Sequence, residues 1–490
     1  MALKVILPAL MAKEVRHKMG GNKITNFLRK YMMLIATVVV VIAFYSITFG
    51  KTLYPMNIDS LISQNAYVFV LGTGMLLCIL TGGNIDLSVG SVVCLAGGVG
   101  AMILKLVPEY AWPVAFIAMI GMGLLVGLWH GYWIAYRDVP PFIATLVGML
   151  AFRGLANIIM QGKAVEVDNR AFLNIFGGGN SCYIPGPTVV DKLAPYKAGL
   201  INYREMGTFT TDPDQIRRTI VAFQQNIDDG VWEGRKLESA KATVTELSML
   251  LKQQCNVVCL VVFALLAVGL IVFTFVNRKR LIAKGYKVDS LVSVVIKTAL
   301  IAIVIVWFGY KLSCYQGIPT ALIWIALVLG IFAYITTKTT LGRNLYAVGG
   351  NAKATRLSGI DTKKVMFSAY TLMGILSGFA GVLNIARLQG STPTYGVGYE
   401  MDAIAACFIG GASAYGGTGS IGGVIIGAAL MGIINQGMSI ADTPVNYQKV
   451  VKGIVLIAAV LFDVIMQMRR KGAKKKATKV AAAEKGGAKA

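Results

Sequence analysis

The chain has 490 residues, 56% of them hydrophobic and 14% charged, with a mean hydropathy of +0.66. Several apolar runs approach or exceed the roughly 18–20 residues that span a bilayer, which excludes a water-soluble globular fold and predicts an all-α polytopic membrane protein. The net charge of +24 does not mark a nucleic-acid binder, because 27 of the 47 Lys+Arg lie in residues 1–31, 277–287, 337–364 and 467–490, accompanied only by Glu14, Asp361 and Glu484.

Basic clusters beside spans are the positive-inside pattern, and anionic membrane lipid attracts them. All four clusters are therefore expected on the cytoplasmic side. Residues 1–31 form a basic arm. The first apolar run, 32–49, has no A-x-A cleavage pattern after it and reads as an uncleaved span. Further spans follow at 61–80, 92–104, 112–136 and 142–160. Residues 162–254 then break the pattern. They carry 11 Lys+Arg and 11 Asp+Glu, and by parity they lie outside. Within this insertion 215–253 reads as helical, with Ile216, Ile220, Phe223 and Ile227 at helical spacing.

The second membrane part, 255–466, has runs at 256–276, 291–308, 318–336, 365–388, 401–413, 421–438 and 445–466. A basic tail, 467–490, closes the chain. The count is about 12 crossing segments, so both basic termini fall on the cytoplasmic side. An apolar segment, a Gly-rich break and a second apolar segment occur twice, at 61–104 and 401–438, in the manner of a parallel repeat.

The first break is TGGNIDLSVGS, residues 81–91. Gly82, Gly83 and Gly90 permit backbone conformations closed to other residues, and Asn84, Asp86 and Ser88 add polar groups. Irregular backbone at membrane depth survives only when buried in protein or lining a watery cavity. These residues either line a path for a hydroxyl-rich or cationic solute or form a turn in which Asp86 caps the next helix. The second break, GGASAYGGTGSIGG at 410–423, contains Gly410, Gly411, Gly416 and Gly417 and reads as a tight re-entrant turn lining the same path. Asn435 and Gln436 follow it, and either bonds a solute or a neighbouring helix.

Asp402, Asp463, Arg153, Arg387 and His130 lie in or near spans and are functional candidates by position. Arg153, Arg387 and Asp463 lie within reach of an interface. No G-x-x-x-x-G-K-[ST] motif occurs, so the chain does not hydrolyse nucleotide by that route. The seven Cys form no metal or disulfide framework, and no cofactor is expected.

LGRNLYAVGGNAKATRLSGI, residues 341–360, is polar and basic between two spans. It reads as a water-facing connection carrying a short helix over 352–358, capped by Asn351 and stopped by Gly359. Such a helix is marginal alone and suits docking to a soluble partner.

TGGNIDLSVGS, PPFIATLVGMLAFRG at 140–154, GRNLYAVGGNAKATRLSGI and EMDAIAACFIGGAS at 400–413 together resemble the permease subunits of bacterial ATP-binding cassette importers for monosaccharides. The likeness is to the ribose, xylose and galactose type, and most to the multiple-monosaccharide branch. It implies a non-enzymatic permease in the bacterial cytoplasmic membrane, paired with a second permease copy as a homodimer or with a related permease. It also implies cytoplasmic ATPase subunits and an external sugar-binding protein. The family's docking pattern falls on Gly350, Asn351, Ala354, Arg356, Leu357, Ser358, Gly359 and Ile360. The insertion at 162–254 is not part of that general pattern. Rival expectations are a permease of the same broad fold for nucleosides or branched-chain amino acids, an ion-coupled secondary transporter using Asp86, and a membrane scaffold.

Overall fold

Runs of Leu, Ile, Val and Ala in a bilayer have no water to bond their backbones, so they close their hydrogen bonds within helices. The computed structural model follows that rule in the residues it describes, which are 23–177, 183–184, 213–231, 256–286, 290–315 and 317–461, with isolated positions between them. Residues 1–22, most of the insertion, Asp463 and the basic tail lie outside the described residues.

In chain order the helices are α1 (Lys23–Ile47), α2 (Pro55–Leu80), α3 (Val89–Leu106), α4 (Trp112–Gly131), α5 (Pro141–Ile159), α6 (Arg170–Phe176) and α7 (Pro213–Asp228). After the insertion come α8 (Val257–Ala283), α9 (Leu291–Ser313), α10 (Thr320–Lys338), α11 (Thr340–Leu357), α12 (Thr362–Leu388), α13 (Tyr399–Ile409), α14 (Ile421–Ile440) and α15 (445–461). Among the described residues nine helices are long and apolar enough to cross a membrane. Local chemistry sets several starts. Pro55 and Pro141 open α2 and α5, where a missing N–H costs nothing. Asp361 caps α12 by accepting from the amides of Lys363 and Lys364. The expected helix over 215–253 is not continuous: α7 ends at Asp228 and a turn follows, with Gly230 at φ +66°.

The centre of the bundle is α2 and α12, with α3, α4, α13 and α14 packed around them. Helix α12 meets α4 through glycine, since a Cβ at Gly378 would stand 2.6 Å from the Met119 carbonyl oxygen. Small residues are what let membrane helices come that close. Helices α8 and α9 pair at the periphery and turn Leu265, Phe273 and Ile303 outward. Two short antiparallel pairings, β1 (Val165–Glu166) with β4 (Gly390–Ser391) and β2 (Tyr183–Ile184) with β3 (Ile318–Pro319), gather the insertion and the ends of α9 and α12 at one end. At the other end Lys363 Nζ meets Asp138 Oδ2 at 3.1 Å, joining the α4–α5 and α11–α12 turns.

The structure departs from the sequence expectation in two further places. The segment expected to cross at 401–413 is the 11-residue helix α13, about 16 Å long and half a bilayer core. The irregular chain at 392–398 leads into it. Its first residue, Tyr399, stacks on Tyr67 with ring centroids 3.6 Å apart, and Tyr67 lies midway along α2. The half-helix therefore begins near mid-depth. So does α3, whose Ser91 hydroxyl donates to the Met149 carbonyl oxygen in the middle of α5. The second departure is at 341–350, expected as loop but helical, because Leu345 and Val348 find a buried face to pack on.

Candidate functional site

The first break rises from the end of α2 to the mid-depth start of α3. Gly82 and Gly83 take positive φ of 136° and 80°, which a side chain would resist. Asn84 Nδ2 donates to Thr81 Oγ1 at 3.0 Å. Asp86 is 3% exposed, and its Oδ1 accepts from both the amide and the hydroxyl of Ser88, at 2.8 and 2.7 Å. The expected capping role of Asp86 needs correction. Ser88 holds the cap position of α3, and Asp86 sits two residues earlier, closing a local turn that fixes Ser88. His130 is buried against Phe152 and Gly148.

The second polar cluster surrounds the start of α13. Asp402 is 1% exposed, and its Oδ2 accepts from Tyr67 Oη at 2.6 Å, Lys452 Nζ at 3.0 Å and Asn435 Nδ2 at 3.4 Å. These donors come from α2, α15 and α14. Asn435 also donates to Asn65 Oδ1 at 3.2 Å. The carboxyl group is desolvated and paired with one lysine, an arrangement that is stable only while its donors stay in place. Asp402 Oδ1, Asn435 Oδ1 and Gln436 Oε1 are buried acceptors without partners among the described residues. Tyr399 Oη donates to Asn384 Oδ1 at 2.8 Å, and Arg387 stands among Tyr399, Tyr67 and Tyr395. Arg153 does not snorkel to an interface: its guanidinium donates to the carbonyl oxygens of Pro393 (3.1 Å) and Tyr395, holding the irregular segment before α13.

Of the path candidates, Asn84, Asp86 and Ser88 stay within the first break, while Asn435 joins the Asp402 cluster. No hydrogen bond among the described residues links the two sets. Asn65, Tyr67, Asn384, Tyr399 and Lys452 escaped sequence reading. Only Lys452, a charge inside an apolar run, offered a signal.

The 340–360 stretch presents its own surface. Asn351 leaves the helical region (φ −162°, ψ 95°) and splits α11 into two arms. Its Oδ1 accepts from the Ala354 amide at 3.0 Å, the expected cap, and Gly359 ends the second arm at φ +82°. Thr355 is the one buried residue of the second arm, its hydroxyl donating to the carbonyl oxygens of Ala347 and Asn351 at 2.8 Å each. Gly350, Asn351, Ala354, Arg356, Leu357, Ser358 and Gly359 all face solvent, and Ile360 is half-buried. Leu357 is 82% exposed. In the first arm Tyr346 Oη donates to the Gly419 carbonyl oxygen at 2.9 Å, and partial burial pushes its phenol pKa up.

The second break turns the chain between α13 and α14. Gly411, Gly416 and Gly417 all take positive φ there, as a tight turn requires, and Gly410 packs on Gly423.

A multi-pass bundle with broken segments meeting at mid-depth, polar clusters around them and a solvent-facing helix at one end is the build of a transport permease. The chain belongs to the family described as the permease component of branched-chain amino acid transport systems, whose model matches residues 57–177 and 242–460. It is 32% identical over 446 residues to the xylose transport system permease protein XylH of Escherichia coli (strain K12), covering 91% of this chain and 93% of that protein. It is 33% identical over 437 residues to XylH of Haemophilus influenzae, covering 89% and 96%. It is 28% identical over 408 residues to the ribose import permease protein RbsC of Escherichia coli (strain K12), covering 83% and 85%. No solved structure matches. A permease component is a transport subunit of a multi-pass membrane system and not an enzyme.

Proposed function

We propose that the chain is the membrane subunit of an ATP-driven monosaccharide importer. It would work with cytoplasmic ATPase subunits, an external sugar-binding protein and a second permease copy. The xylose and ribose permeases, similar along most of their length, support a sugar over a branched-chain amino acid or nucleoside. The four basic clusters support an orientation with both termini and 337–364 in the cytoplasm and 162–254 outside. The β pairings and the Asp138–Lys363 ion pair join only segments assigned to one side. Coupling to an ion gradient is less well supported, because Asp86 is engaged by Ser88 and Asp402 by Lys452.

The observation that carries the reading is the second arm of α11. It is a short capped helix with Arg356 and Leu357 turned to solvent. So few residues gain little from their own hydrogen bonds, and an ATPase that covers Leu357 gives the arm its purpose. ATP-driven closure of the ATPases would then move the arm and switch the open side of the path. Burying Leu357 is worth about 1.5–3 kcal/mol, which is roughly tenfold or more in affinity. Leu357→Asp is expected to leave the permease inserted but to strip the ATPase on purification and abolish sugar uptake. An ATPase that stays bound to this variant, with uptake intact, refutes the assignment.

A further inference from the structure

The first arm of α11 is not merely a tether for the second. A Cβ placed on Gly349 would overlap the Leu80 carbonyl oxygen and the Gly417 amide. A Cβ on Gly417 would stand 2.7 Å from the Gly350 amide, and one on Gly416 would stand 2.5 Å from the Gly82 Cα. Gly83 meets the Ala414 carbonyl in the same way. The Gly417 amide donates to the Leu80 carbonyl oxygen at 3.1 Å, and Tyr346 Oη reaches the Gly419 carbonyl oxygen at 2.9 Å. Three backbones, from 80–83, 349–350 and 414–419, therefore touch at one point with no side chains between them.

We infer that this junction is the mechanical joint of the transporter, with Tyr346, Gly349 and Gly417 as positioning residues. Packed backbones do not deform continuously, and an interface of this kind moves as a unit. The stroke of the α11 arm then enters the two broken segments directly. It reaches 81–88, which leads to the start of α3, and 410–420, which carries the half-helix α13. This rests on the proposed docking role of α11, and it adds where the motion goes.

Gly349 is helical, so alanine there suits the helix itself, while its Cβ forces the backbones at Leu80 and Gly417 to move away. The test uses the full chain in cells with its native partners and labelled D-xylose, D-ribose and D-galactose as probes. Gly349→Ala is expected to keep the ATPase on purification and ATP hydrolysis in the complex, while uptake falls about tenfold, inside the roughly 2- to 30-fold span of coupling mutations. Tyr346→Phe introduces no clash and is expected to lower uptake by roughly threefold at unchanged ATPase association. Gly330→Ala, where an added Cβ meets nothing, is the control for substitution itself. Loss of the ATPase from Gly349→Ala, or uptake equal to the unaltered chain in both variants, overturns the joint. Failure of the unaltered chain to hold any ATPase refutes the importer reading instead.

Discussion

Replacing Lys452 by Met tests what holds the half-helix α13. Lys452 Nζ lies 3.0 Å from Asp402 Oδ2, with the lysine side chain 24% exposed and the carboxylate 1%. Methionine keeps most of the lysine stem's packing and deletes the charge. Asp402 is then left buried with only Tyr67 and Asn435 as donors. Breaking a fully buried pair costs about 3–5 kcal/mol. Partial exposure of the lysine puts this case at the low end, about 3 kcal/mol. At roughly 2 °C per kcal/mol for a large chain, the melting temperature falls by about 6 °C. Asp402→Asn removes the charge that needs a partner while keeping an acceptor for Tyr67. The double variant Asp402→Asn with Lys452→Met is therefore expected to recover about 2 kcal/mol relative to the sum of the singles. The assay is thermal unfolding of the purified protein in detergent, followed by intrinsic Tyr and Trp fluorescence, for all four corners of the cycle. A Lys452→Met protein that melts with the parent, or a double variant whose loss equals the sum, refutes the argument that the ion pair anchors α13.

Two further outcomes follow from the polar ends. Asp361 accepts from two amides at the start of α12, chiefly that of Lys364, which holds its pKa below the usual carboxylate value. A depressed folded-state pKa contributes stability above the unfolded value and loses it as pH falls through the folded one, so the parent should lose stability below about pH 4 more steeply than Asp361→Asn, as melting curves across pH would read. Lys353→Cys and Arg170→Cys, both at exposed positions, should react with an impermeant thiol reagent from opposite faces of the membrane, and labelling of both from one face refutes the orientation.

Features that depend on near neighbours in the chain were legible in the sequence. Apolar runs made spans because a backbone in hydrocarbon must bond to itself. Asn351 and Gly359 bracketed a short helix because a cap and a positive-φ stop act within one turn. Depth and partnership were decided by the fold. STPTYGVG at 391–398 is a turn between two apolar runs in the sequence, yet Arg153, some 240 residues away, holds its carbonyls and the chain enters the bundle. Asp402 looked like one intramembrane acid among several until Tyr67, 335 residues earlier, and Lys452 converged on it. Gly349 and Gly350 are adjacent and alike in sequence, but an added Cβ collides with backbone at Gly349 and meets nothing at Gly350. Only packing distinguishes them, because a glycine states that close approach is allowed and the neighbouring backbone decides whether it happens.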